Sequence, residues 1–166
     1  MQRAFFAALA AVLFECVSIG AAAQAPQLPP IPQYGANINL EQAKKALAAA
    51  EAEARKQGWP VAVAVVDTAG LLVGYVRMDN TQTAGVQLAI DKATTAAMFR
   101  RSTKDFFDRL VAGAGGLSVL NLRGANVTEG GLPIVVDGKI IGGVGISGML
   151  GPQDGIVAKA GADALK

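Results

Sequence analysis

Apolar side chains recur every three or four positions at Leu40, Ala43, Leu47, Ala50 and Ala54, the spacing that lines one face of an α-helix. Asn39, just ahead of the run, can accept from the backbone three residues on while Gln42 reaches back, a capping box. Gly58 and Pro60 end the helix. Val61 to Val66 is then an unbroken apolar run of valine and alanine, the pattern of a strand. Asp67-Thr68-Ala69-Gly70 turns it into a second strand, Leu71 to Met78, so the two form a hairpin.

Helical spacing returns from about Thr83 to Phe99. Ser102-Thr103-Lys104-Asp105 has the form of a second capping box and starts a short helix toward Leu110, after which Ala112 to Gly116 breaks the pattern. Leu132 to Val136 and Lys139 to Ser147 read as strands joined across Asp137-Gly138, a dipeptide favoured in tight type I′ turns. Pro152 suits the first turn of a last helix, Gln153 to Leu165, with Ile156, Val157, Ala160 and Ala164 expected on its buried face. Strands that arrive as hairpins predict an α/β (α+β) fold with a largely antiparallel sheet flanked by helices.

Composition narrows the chemistry. With 166 residues, 52% of them hydrophobic and 17% charged, the chain suits one domain with a substantial core. Fifteen Lys+Arg against 13 Asp+Glu leaves +2, too balanced for a nucleic-acid footprint. The chain has no histidine, which excludes Ser-His-Asp and Cys-His catalysis and His-ligated zinc. Its one cysteine is Cys16.

Cys16 falls in a segment with the layout of a secretory signal peptide: Arg3, an apolar stretch from Ala4 to Phe14, then the small residues Ala21-Ala22-Ala23. Cleavage after Ala23 is expected, because cleavage after Ala25 would put Pro26 first. Glu15 at mid-span would cost a membrane anchor about 2.5 kcal/mol or more. The expected division is a signal peptide over 1–23, a proline-rich arm over 24–38 containing PQLPPIP, and the domain over 39–166. The expected location is periplasmic or secreted, with no membrane anchor after cleavage.

Gly143-Val144-Gly145-Ile146-Ser147-Gly148 satisfies G-x-G-x-x-G, but a dinucleotide site needs a strand–turn–helix setting. Here the first glycines belong to a hairpin strand, where close approach of another backbone explains them better. Glu129-Gly130-Gly131 and Asp154 place carboxylates near glycine-rich bends without a nucleophile, so no enzyme signature emerges.

Three blocks carry a family resemblance: VAVAVVDTAGLLVGYVRMD (61–79), DKATTAAMFRRST (91–103) and GGLPIVVDGKIIGGVGISG followed by QD (130–154). They resemble the GlcG/HbpS-like haem-binding family, which is related to the C-terminal domain of PduO-type proteins. The resemblance spans roughly 40–166. It implies a profilin-like domain that forms homo-oligomers and binds haem or a similar tetrapyrrole, in haem or iron sensing or storage. The alternative is an oligomeric accessory or enzyme-like protein for a small metabolite of oxidative catabolism, without haem. The chain departs from the family where Leu71 stands at a turn position that can hold histidine, and where Gly155 follows Asp154 in place of an acidic residue.

Under the haem reading, Arg77 is a propionate partner and Met78 a haem contact or axial ligand; otherwise Met78 is core and Arg77 and Asp79 stand in surface pairs. Tyr75 is the other candidate axial ligand, since thioether and phenolate can ligate iron without imidazole, and Met149 is a further contact candidate. Lys92 is either a snorkelling surface lysine or an anion contact in a pocket. Arg100 and Arg101, with Lys104 nearby, form a basic cluster at a helix junction that is a solvated face or a holder of carboxylates.

Overall fold

The computed structural model of the protein describes residues 30–166. The expected signal peptide and the first part of the arm lie outside the described residues. Among those described, no helix is long and apolar enough to cross a membrane.

The first helix, α1 (Leu40–Gln57), is capped as its sequence predicts. Asn39 accepts from the Gln42 backbone, Gln42 returns the bond, and Gly58 closes the helix at φ 71°. That left-handed conformation is inexpensive only for glycine. Strands β2 (Ala62–Asp67) and β3 (Leu72–Arg77) form the first hairpin. Helices α2 (Gly85–Phe99) and α3 (Thr103–Val111) follow. At α3 the Ser102 hydroxyl accepts from the Lys104 amide. β4 (Gly131–Val136) and β5 (Lys139–Ser147) make the second hairpin, with Asp137 and Gly138 both at positive φ as a type I′ turn requires. α4 (Gly151–Asp163) ends the domain.

Two elements were not anticipated. Ala114–Asn121 forms a 3₁₀ segment where the pattern read as a break. Gln33–Tyr34 of the expected arm forms β1, a two-residue strand parallel to β5. Tyr34 anchors it by donating to the Ala97 and Met98 carbonyls at the end of α2. Ile38, also in the expected arm, is buried in the core.

The sheet runs β4–β5–β2–β3, all antiparallel, with β1 continuing the β2 side of β5. Successive strand residues face opposite ways, and both faces are covered. Ala62, Ala64 and Val66 meet Ala89, Ala93 and Ala97 of α2, whereas Val61, Val63 and Val65 meet α1 and α4. A strand covered on both sides has no solvent face to alternate, which is why Val61–Val66 reads as an unbroken apolar run.

The glycines of β5 owe their identity to α2. A Cβ on Gly145 would lie 2.0 Å from the Ala89 carbonyl oxygen, and one on Gly143 would lie 2.5 Å from that of Ala93. The first two glycines of the G-x-G-x-x-G string thus serve a helix-on-strand contact, as their hairpin setting implied, and the last packs on the Pro60–Val61 backbone.

One helix face requires correction. α4 buries Asp154, Val157, Ala158, Gly161 and Ala162, while Ile156 is 49% exposed. The backbones of α1 and α4 approach so closely that a Cβ on Gly161 would lie 3.1 Å from the Ala46 carbonyl. Smallness, more than hydrophobicity, selects the face.

Candidate functional site

β2 begins and β3 ends at the same edge of the domain, because Ala62 pairs with Arg77. The end of β5 joins them there, with Ser147 opposite Ala62. α1 delivers its C-terminus to this edge, and the chain passes through Gly58, Trp59 and Pro60 into β2. The Trp59 amide donates back to the Ala54 carbonyl, and the Trp59 side chain packs against the core.

An open groove of about 420 Å³ results, lined by Arg55, Gly58, Trp59, Pro60, Met78 and Asn80. A depression of about 300 Å³ adjoins it and shares Met78 and Asn80 while adding Arg77 and Asp79. The Met78 amide donates to the Val61 carbonyl, tying the thioether-bearing residue to β2. Asn80 adopts φ 64°, a conformation asparagine tolerates better than most residues. The Thr81 hydroxyl closes the turn on the Met78 carbonyl at 2.7 Å.

Of the sequence candidates, Arg77 and Met78 thus share this site. The Arg77 guanidinium donates to the Thr81 carbonyl at 3.1 Å, in place of the surface ion pair that was the alternative. Tyr75 lies instead on the α2 side of the sheet, with its hydroxyl 3.5 Å from the Val86 carbonyl. Burial raises the Tyr75 pKa, partly offset by the charge of Arg77, so the phenolate form is disfavoured. Met149 packs against the same buried cluster as Trp59 and Met78.

Lys92 corrects the expectation of a surface or ligand-facing lysine. It is 2% exposed, and its ammonium donates to Asp154 Oδ2 at 2.8 Å and to the Ile146 carbonyl at 2.9 Å. Asp154, 1% exposed, also accepts from the Met149 amide at 3.0 Å. Burial lifts the Asp154 carboxyl above the usual range, against the lowering effect of Lys92.

The Arg100–Arg101 cluster is likewise occupied, and distant. Arg100 lies over the Tyr34 ring and Arg101 over Phe106. Tyr34 sits at the C-terminal end of α2, whose Thr94 and Met98 approach Gly70 at the far end of β2. Six strand residues separate that end from Met78, roughly 20 Å, so these arginines stand at the opposite end of the sheet from the groove.

Sequence reasoning missed Trp59, Arg55 and Asn80 in the site. Trp59 carried a signal, since it is the chain's single tryptophan directly after a helix stop. Among the described residues, no group of three or more His, Cys, Asp or Glu side chains could hold a metal ion.

Fold and groove define a class: an α/β domain with one mainly antiparallel sheet between helical layers and an aromatic-and-guanidinium groove at the sheet end. The chain belongs to the family described as haem degrading protein HbpS-like, whose model matches residues 38–163. It is 40% identical over 117 residues to protein GlcG of Escherichia coli K12, covering 66% of this chain and 81% of GlcG. A variant of HbpS from Streptomyces reticuli superposes with TM-score 0.72 at 31% identity, covering 88% of this chain and 99% of that one. The haem complex of PduOC superposes with TM-score 0.70 at 28% identity, over 78% and 96% of the two chains.

Proposed function

We propose that this protein binds haem in the groove between α1 and the β2–β3 hairpin, and does so outside the cytoplasm in haem or iron sensing or storage. The observation that carries the reading is the placing of Trp59 and Met78 in one groove, with Arg55 and Arg77 beside them. The solved haem complex of a structural relative supports it.

The residues present fit the group. Haem has a broad apolar face and two anionic propionates. Covering that face on Trp59, Pro60 and Met78 contributes at about 25 cal/mol per Å², and guanidinium groups bind carboxylates through charge-assisted hydrogen bonds. With no histidine in the chain, Met78 would hold the iron of a bound haem through its thioether, and that donor would help to set the haem's redox behaviour. Arg55 lines the groove itself, where it also holds Glu51 with Nε at 3.0 Å, and Arg77 lines the adjoining depression, so a guanidinium stands at each margin for a propionate.

Hemin titration of the mature chain tests the proposal. Binding shifts the Soret band and quenches the single tryptophan, and Met78→Ala alters the spectrum whereas Tyr75→Phe does not. Absence of a Soret shift at micromolar protein overturns it.

Export rests on the Arg3 to Ala23 leader pattern, and the intact mass of periplasmic material should correspond to a start near Gln24. Homo-oligomer formation is supported by the exposure of Phe107, Val111, Leu117 and Leu120 along α3 and the 3₁₀ segment. Charged substitutions at Leu117 and Leu120 should lower the mass seen by sedimentation.

A further inference from the structure

We infer that Lys92 and Asp154 are positioning residues for the groove: their buried ion pair fixes the turn after β5, and that turn sets where Trp59, Pro60 and Met78 stand. The inference rests on the groove being the ligand site.

The two residues come from opposite layers, Lys92 from α2 and Asp154 from the first turn of α4. The Lys92 ammonium meets the Ile146 carbonyl, close to where the ladder toward β4 gives out: the Ile146 amide donates to Gly130, just ahead of β4. The space is closed. A Cβ on Gly130 would lie 2.8 Å from the Asp154 Cβ and 3.0 Å from Lys92 Nζ. Asp154 uses both oxygens, Oδ2 on Lys92 and Oδ1 on the Met149 amide.

That second bond is the link to the groove. Holding the Met149 amide holds Gly148, and Gly148 lies so close to the start of β2 that its Cβ would fall 2.3 Å from the Pro60 carbonyl and 2.8 Å from the Val61 Cα. Pro60 lines the groove, and the Val61 carbonyl receives the Met78 amide. A continuous row therefore runs from Asp154 through Met149, Gly148 and Pro60-Val61 to Met78. Net stability alone does not call for this pair, since well-packed apolar residues replace buried ion pairs at little or no cost; what they would not supply is the acceptor that holds the Met149 amide.

That replacement supplies the test. Lys92→Met/Asp154→Leu keeps approximate volume and removes both charges, but offers the Met149 amide no acceptor. If the pair positions the groove, Trp59 emission shifts to the red, acrylamide quenches it more strongly, and haem affinity falls about tenfold or more, even where denaturant unfolding shows wild-type stability. Asp154→Glu, which keeps a charge for Lys92 but displaces the second oxygen from the Met149 amide, gives the same shift in the folded state and covers the case in which the double variant does not fold. Val66→Ala, which empties buried volume at the other end of β2, should lower stability and leave Trp59 and haem affinity unmoved. Unchanged Trp59 emission and affinity in a folded pair variant overturns the inference, as does an equal change in Val66→Ala. The Trp59 comparison needs no haem, so failure of the wild type to bind haem refutes the groove's proposed ligand while this positioning result stands or falls by itself.

Discussion

Removing the lysine alone, as Lys92→Met, should be the most destabilising single charge deletion in the domain. The Nζ–Oδ2 separation is 2.8 Å with both side chains nearly inaccessible. At an effective dielectric constant near 20, charges at that distance attract by about 6 kcal/mol. Most of that offsets the cost of taking both ions out of water, so the intact pair contributes little net stability. Its half does not: an unpaired buried carboxylate costs about 3–5 kcal/mol, and the Ile146 carbonyl also loses its donor. A domain of ordinary stability has about 5–15 kcal/mol in total, so the variant should unfold at a much lower urea concentration.

The loss should depend on pH with a definite sign. Asp154 already has a raised folded-state pKa through burial, and without the lysine that shift grows. A carboxyl whose folded pKa exceeds its unfolded value holds its proton more tightly when folded. Its contribution is therefore complete below the unfolded value and is lost as pH rises through the folded one. Urea midpoints of Lys92→Met followed by far-UV circular dichroism should accordingly rise as the solution is acidified through the carboxylate range, narrowing the gap to wild type. A variant within about 1 kcal/mol of wild type at neutral pH would refute the reasoning.

Gly145→Ala places a methyl 2.0 Å from the Ala89 carbonyl oxygen and should cost about 1–3 kcal/mol or more by thermal denaturation, whereas Gly138→Asn, at a turn position open around its Cβ, should be far milder. Asn39→Ala removes the acceptor for the Gln42 amide and should cost about 1 kcal/mol; an unchanged melting temperature would show the cap to be dispensable. Tyr75 should ionise above the ordinary tyrosine value near 10, since burial opposes its phenolate. Because that folded pKa is raised, its contribution to stability is intact below the unfolded value and lost above it, and an ultraviolet titration comparing wild type with Tyr75→Phe that finds a midpoint at or below 10 would contradict this.

The elements with local signals were legible in the sequence. The α1 caps, the two hairpins and the Asp137-Gly138 turn rest on contacts between near neighbours, and each is present. β1 was not legible, because a two-residue strand has no period and forms only where β5 and the α2 carbonyls receive it. The α4 face was misjudged for a related reason. Hydropathy favoured Ile156, while the close approach of α1 favoured alanine and glycine, and an aspartate became a core residue because a lysine 62 positions away neutralises it.

The candidate site divides along the same line. The three family blocks were enough to place the chain among HbpS-like proteins, from which the missing histidine is a departure, and to name Arg77 and Met78 as candidates. Composition and local spacing determine which helices and turns can form, since capping, turn geometry and amphipathic period act over a few residues. Only the tertiary structure decided that Trp59 and Arg55 join Met78 in one groove, that Tyr75 and the Arg100–Arg101 pair lie elsewhere, and that Lys92 is spent on Asp154. Those outcomes depend on strand register and on the distance between helices packed on opposite faces of a sheet, quantities set by the whole core at once and not by any one segment's own pattern.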